Sequence, residues 1–196
     1  MPGPMRALLA LTWIGSVGFS PARSVSQRTS REETMAAIQT NLLGAWTCTL
    51  QYRDYQTNEI VTLPAWLEVK LTADKHTFAF HYLYDDGPSK LVRETSRVTL
   101  DLDKNTFAVA SEDGQDADVY QMAGADKLSL SGLGTLTMTG SGIENDKKVE
   151  VRIRIRLGRN DYHYVRETRL SGENFQMRDA YTFTRRTPPF GIPASR

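Results

Sequence analysis

The chain has 196 residues, 40% hydrophobic and 24% charged, which suits one water-soluble domain with its own core. A formal net charge of +1 gives no long-range attraction to nucleic acid or an anionic membrane surface, and nucleic-acid binding is set aside. The single cysteine, Cys48, excludes an internal disulfide framework and any multi-cysteine metal site.

Residues 1–22 read as a secretory signal peptide. Arg6 supplies the positive start, residues 7–19 are apolar, and Ser20-Pro21-Ala22 places small residues before a cut. The apolar run is too short to span a bilayer comfortably, so no integral span is expected after processing. No cysteine follows it to carry a lipid anchor. The expected location is periplasmic or secreted. Loss of this segment takes one arginine and leaves the rest neutral in formal charge.

Residues 23–41 read as a polar linker and a short helix. Ser30-Arg-Glu-Glu33 has the layout of a capping box. Met35, Ile38, Leu42 and Leu43 follow at helical spacing and predict a helix over Thr34–Leu43, a lid for one end of a barrel.

From Trp46 the period changes to two, and residues 42–187 read as one β-domain. Trp46, Cys48, Leu50 and Tyr52 share one face of the first strand. Ile60–Leu71 is the second strand, with Pro64 marking a bulge or an edge. In the third, His76, Phe78, Phe80, Tyr82 and Tyr84 form an aromatic face, and Asp85-Asp86-Gly87-Pro88 turns the chain. Leu91–Leu102, Thr106–Ser111, Asp118–Met122, Lys127–Met138, Lys148–Leu157, Asp161–Leu170 and Phe175–Arg186 continue the meander. Turn signals recur throughout, and about ten strands at this spacing indicate a sandwich or an up-and-down barrel. Residues 188–196 are a proline-rich tail.

The helical lead-in, Gly44-x-Trp46 in the first strand and Arg185-Arg186 closing the last resemble the lipocalin/calycin group. The resemblance implies an all-β fold: a single antiparallel up-and-down β-barrel of about 8–10 strands with a short N-terminal helix. It points to an exported bacterial branch of such barrels. It also implies that Trp46 sits at the closed end, beside Gly44, with an arginine packed over it. Arg185 and Arg186 are both open to that role.

Barrels enclose cavities, and Phe78, Phe80, Tyr82, Tyr84 and Cys48 are the expected ligand-lining residues. The alternative for each is ordinary core packing. Cys48 lacks the nearby base a nucleophile needs, and alternation sets His163 opposite Tyr162 and Tyr164, so no catalytic residue is expected. His76 and His81 point to opposite faces, so no metal site is expected either. Asp85-Asp86-Gly87 lacks the ligand string of a calcium loop. No cofactor is expected. Arg152, Arg154 and Arg156 alternate with apolar residues and read as a solvated outer face with cross-strand partners such as Glu167.

The expected function is an exported, non-enzymatic barrel holding a small hydrophobic or amphipathic molecule in its cavity. The alternative is a packed barrel serving as a cell-envelope structural or interaction module. Which strand face points inward, the ligand and the oligomeric state stay open, because a one-residue slip in register inverts every lining residue.

Overall fold

The structure, a computed structural model, describes residues 25–114, 116–128 and 131–186. The expected signal peptide and proline-rich tail lie outside the described residues. Helix α1 (Val25–Leu42) precedes ten strands: β1 (Gly44–Arg53), β2 (Ile60–Leu71), β3 (Thr77–Asp85), β4 (Leu91–Asp101) and β5 (Thr106–Ser111), then β6 (Asp118–Ala123), β7 (Gly134–Glu144), β8 (Lys147–Leu157), β9 (Asp161–Arg169) and β10 (Gln176–Arg185). Every strand pairs antiparallel with its neighbours in sequence. β1 also pairs with β10, placing Trp46 opposite Arg185, and the sheet closes into a barrel.

Period-two alternation makes these strands and sets their faces. β8 is the plainest case. Val149, Val151, Ile153, Ile155 and Leu157 are buried, while the intervening arginines point outward. Arg152 and Arg154 meet Glu167 at 2.8 and 3.1 Å, and Arg156 meets Asp161 at 3.0 Å.

Aspartates build several turns. Asp54, Asp74 and Asp101 each accept backbone N–H groups from the residues two and three positions on, at 2.8–2.9 Å. These donors favour the ionised carboxylate in the turns of Asp54 and Asp74 and hold both below the usual range.

Three details differ from the sequence expectations. The helix starts well before Ser30, so Ser30 is an interior residue whose carbonyl accepts from the Thr34 hydroxyl, not a cap. The strand expected over Lys127–Met138 instead begins at Gly134, behind a 3₁₀ turn at Ala125–Lys127, and runs on to Glu144. Gly134, Gly140 and Gly142 leave its alternation without side chains and hide it. Pro64 is accommodated without a register shift: it lies opposite Thr49 of β1, just outside the β3 ladder, which begins at Ala65. Its missing N–H therefore costs no bond on that side.

Helix α1 closes one end of the barrel. Met35, Ile38 and Leu42, at helical spacing, are buried, Ile38 completely. Asn41 donates to the carbonyl of Ser131 at 2.6 Å, Gln39 to that of Lys75 at 2.8 Å, and Arg31 pairs with Asp103. The helix is thus tied to three of the turns at that end. Gly132, at φ +71°, lets the chain pass the Ala37 backbone, where a Cβ would come within 2.8 Å.

Candidate functional site

The inner face of the wall changes character along the barrel axis. β4 runs inward from Leu100 and Val98 to Ser96 and Glu94. β7 runs from Leu136 and Met138 to Glu144, β9 from Tyr162 and Tyr164 to Arg166 and Thr168, and β10 from Phe183 and Tyr181 to Asp179. These four strands are apolar beside the helix and polar at the far end, so the core is closed below and carries polar groups at its mouth.

At the closed end Trp46 is fully buried and donates its indole N–H to the Leu42 carbonyl at 3.0 Å. The Arg185 guanidinium lies 4.1 Å over its ring. The same guanidinium donates to the carbonyls of Leu43 at 2.7 Å and Asn41 at 2.8 Å, capping the negative end of α1. Gly44 joins helix to strand at φ +118°, and a Cβ there would sit 3.1 Å from the Arg185 side chain. Arg186 lies beyond the last strand and is exposed; its backbone N–H donates to Ala45 at 2.9 Å.

Above this floor lies a cavity of about 330 Å³. Phe80, Tyr82 and Tyr84 of β3 form one wall, and Tyr162, Tyr164, Tyr181 and Phe183 of β9 and β10 form another. The rings touch in series. Trp46 meets Tyr162 edge-on at 5.0 Å, Tyr162 stacks on Phe183 at 3.9 Å, and Phe183 lies parallel to Tyr181 at 5.4 Å. Tyr181 meets both Tyr82 and Tyr164 at 5.7 Å, and its hydroxyl is 3.1 Å from that of Tyr84. Burial pushes the phenols of Tyr82, Tyr84, Tyr162, Tyr164 and Tyr181 up, so all five stay neutral near pH 7.

Of the residues expected to line a cavity, Phe80, Tyr82 and Tyr84 do. Phe78 and Cys48 face inward but are packed in the core and do not border the space. Phe78 is fully buried at the helix end, where the barrel is filled. Burial pushes the Cys48 thiol up to about 12, the opposite of what a nucleophile needs. No histidine faces the cavity: His76 is in an exposed turn, His81 is 3.3 Å from Thr95, and His163 lies outside, 3.2 Å from Asp161. Among the described residues no cluster suits a metal ion, and no helix is long and apolar enough to cross a membrane.

Sequence reasoning passed over Tyr52, Tyr181 and Phe183 as lining, and the carboxylates Glu94 and Asp179. The aromatic pairs Tyr162/Tyr164 and Tyr181/Phe183 carry the same period-two signal as β3. The acids alternate in step with apolar neighbours, and only their polarity argues against an inward face.

The mouth holds an ion network. Glu144, its side chain 5% exposed, lies 3.2 Å from Arg166 and 3.0 Å from Arg178, and accepts from the Thr168 hydroxyl at 2.9 Å. Arg166 also lies 3.6 Å from Asp179. Arg178 is the extra residue of a bulge between Met177 and Asp179, which turns it toward Thr168 at 2.9 Å. Burial outweighs Arg166 at Asp179 and raises its carboxyl to about 6.

The wall is low on one side of the mouth. β5 and β6 are short; β4 before Ser96 pairs only with β3, and β7 beyond Thr139 pairs only with β8. Leu91, Val119 and Ile143, respectively 59%, 58% and 69% exposed, border this notch. A second hollow, about 740 Å³ and shallow, follows the seam where α1 meets the closed-end turns; polar residues such as Ser30, Arg31, Asn105 and Asp126 line it.

Neither a protein-family model nor a curated protein matches the chain. Among solved structures it is similar to the crystal structure of Rv2717c from M. tuberculosis, at 15% identity and a TM-score of 0.53. The likeness covers 79% of this chain and 98% of that one. At that identity it speaks for the fold alone: a closed antiparallel barrel of ten strands with one N-terminal helix.

Proposed function

We propose that this is an exported, lipocalin-like barrel, without catalytic activity, that binds a small hydrophobic or amphipathic molecule in its lumen. One observation carries the reading: an aromatic-walled cavity of about 330 Å³ open at a polar mouth. That space equals the liquid volume of roughly eleven waters and suits a one- or two-ring molecule better than a long acyl chain. The rings supply contact area, and the neutral phenols orient a polar group. Export rests on residues 1–22, whose layout is that of a signal peptide.

The test is native mass spectrometry of the protein from its own compartment, with titration of a neutral two-ring probe, 2-naphthol, followed by intrinsic fluorescence. An added mass, or saturable binding that Ser96→Phe weakens by filling the cavity, supports the reading. A bare mass, together with probe binding that Ser96→Phe leaves untouched, overturns it in favour of a packed envelope module.

A further inference from the structure

We infer that the cavity is built for a cation carried on an apolar body, that is, a quaternary or protonated amine with a ring or branched alkyl group. The inference rests on the proposed binding function and names the ligand class for that site.

The charges at the cavity come first. Its lining includes two carboxylates, Glu94 and Asp179, and no lysine or arginine. Glu94 is exposed and marks the mouth, while Asp179 lies deeper beside Tyr181. Arg166 stands behind Asp179 at 3.6 Å and is shared with Glu144, so it does not occupy the space itself. Counting Arg178, the mouth has three carboxylates facing two guanidiniums, an excess of negative charge next to the cavity.

The aromatic geometry is the second observation. Tyr82 and Tyr84 lie parallel with centroids 5.6 Å apart, and Tyr164 meets Tyr181 nearly perpendicular at 78°. These rings all border one volume, and ring quadrupoles attract an alkylammonium placed against them. Deeper in, the Tyr162 hydroxyl is buried and makes no hydrogen bond with the protein, while its residue borders the cavity. A buried hydroxyl without a partner is costly, and a polar group on the ligand's far end would satisfy it.

The loops repeat the sign. Those around the mouth carry Asp54 and Glu59 between β1 and β2, Glu112, Asp113 and Asp116 beside the notch, and Asp146 and Glu173 farther round. Against these acids stand Lys90, paired with Asp86, and Lys147 and Lys148 at the start of β8. At the helix end, by contrast, acids and bases alternate: Asp74 and Lys75, Asp103 and Lys104, Asp126 and Lys127. A chain neutral as a whole thus concentrates its acids at the opening, which draws cations in and slows anions.

Benzyltrimethylammonium and its carbon isostere neopentylbenzene differ in charge and scarcely in shape, so they separate the cation from the apolar body. Titration of each, read by tyrosine and tryptophan fluorescence and by amide shifts, should give at least about tenfold tighter binding for the cation at pH 7.5 and low salt. The advantage should shrink with added salt. It should also shrink from pH 7.5 to 5, as Asp179 takes a proton among Arg166, Glu144, Glu94, Tyr52, Tyr84 and Tyr164. In the folded Glu94→Gln/Asp179→Asn variant it should vanish while the hydrocarbon still binds. Equal or tighter binding of neopentylbenzene to the unaltered protein overturns the cation assignment and leaves the binding barrel standing. Binding of neither probe at millimolar concentration removes both.

Discussion

Asp179 shows how a single residue answers to its surroundings. It faces inward because it alternates with Tyr181 and Phe183, and the interior raises its carboxyl from 3.8 to about 6 despite Arg166. A carboxyl raised on folding binds more protons in the native state between those values. Its contribution to stability is therefore full below about pH 4 and is lost as pH rises through about 6. The shift corresponds to at most roughly 3 kcal/mol. Asp179→Asn should remove that slope: urea midpoints of the unaltered protein should fall relative to the variant between pH 4 and 7. Parallel profiles would place the carboxyl at its ordinary value. Cys48 makes the complementary case, a thiol on the lumen face whose ionisation is suppressed by the packing that buries it.

Among the elements, the joint between α1 and β1 carries the most consequence. Gly44 is read in the sequence as part of a triplet with Trp46, and the structure supplies its physical reason: positive φ and the Arg185 side chain against its open face. Gly44→Ala should cost about 1–3 kcal/mol through backbone strain and displacement of that guanidinium. Arg185→Met should cost about as much by removing the contact with Trp46 and the cap on the helix carbonyls. It should also speed amide exchange across residues 35–42. Unchanged exchange there, with stability lost elsewhere, would show that Arg185 does not hold the helix. At the opposite end, the bulge at Arg178 brings a second guanidinium to Glu144, a placement that regular alternation does not provide.

For the whole molecule, closure is the expensive step. Nine of the strand pairings join neighbours in sequence, and the tenth joins β1 to β10, with Trp46 opposite Arg185. Loop-closure entropy is met before that pairing returns anything, so refolding should take milliseconds to seconds, and Arg185→Met should slow it, because the contact it removes lies on the closing pair of strands. Stopped-flow tryptophan fluorescence of a Trp66→Phe variant without residues 1–22, in which Trp46 alone reports, reads this. Microsecond refolding would mean that the barrel closes early through contacts nearer in sequence.

The helix, the run of alternating strands, the turns between them and the shared face of Phe80, Tyr82 and Tyr84 were legible in the chain by itself, whereas which face points inward was not. Each follows from local geometry: side chains alternate across a strand and recur every three or four residues along a helix. The order of polar and apolar residues along β4, β7, β9 and β10 was also written there, but as unconnected patterns. Only the tertiary structure aligned them into one axis, filled the space around Phe78 and Cys48, and left a cavity between tyrosines from β3, β9 and β10. The reason is physical. A face is a property of one strand, whereas a cavity is what remains after side chains far apart in sequence have packed, and its charge depends on which neighbours closure brings beside it.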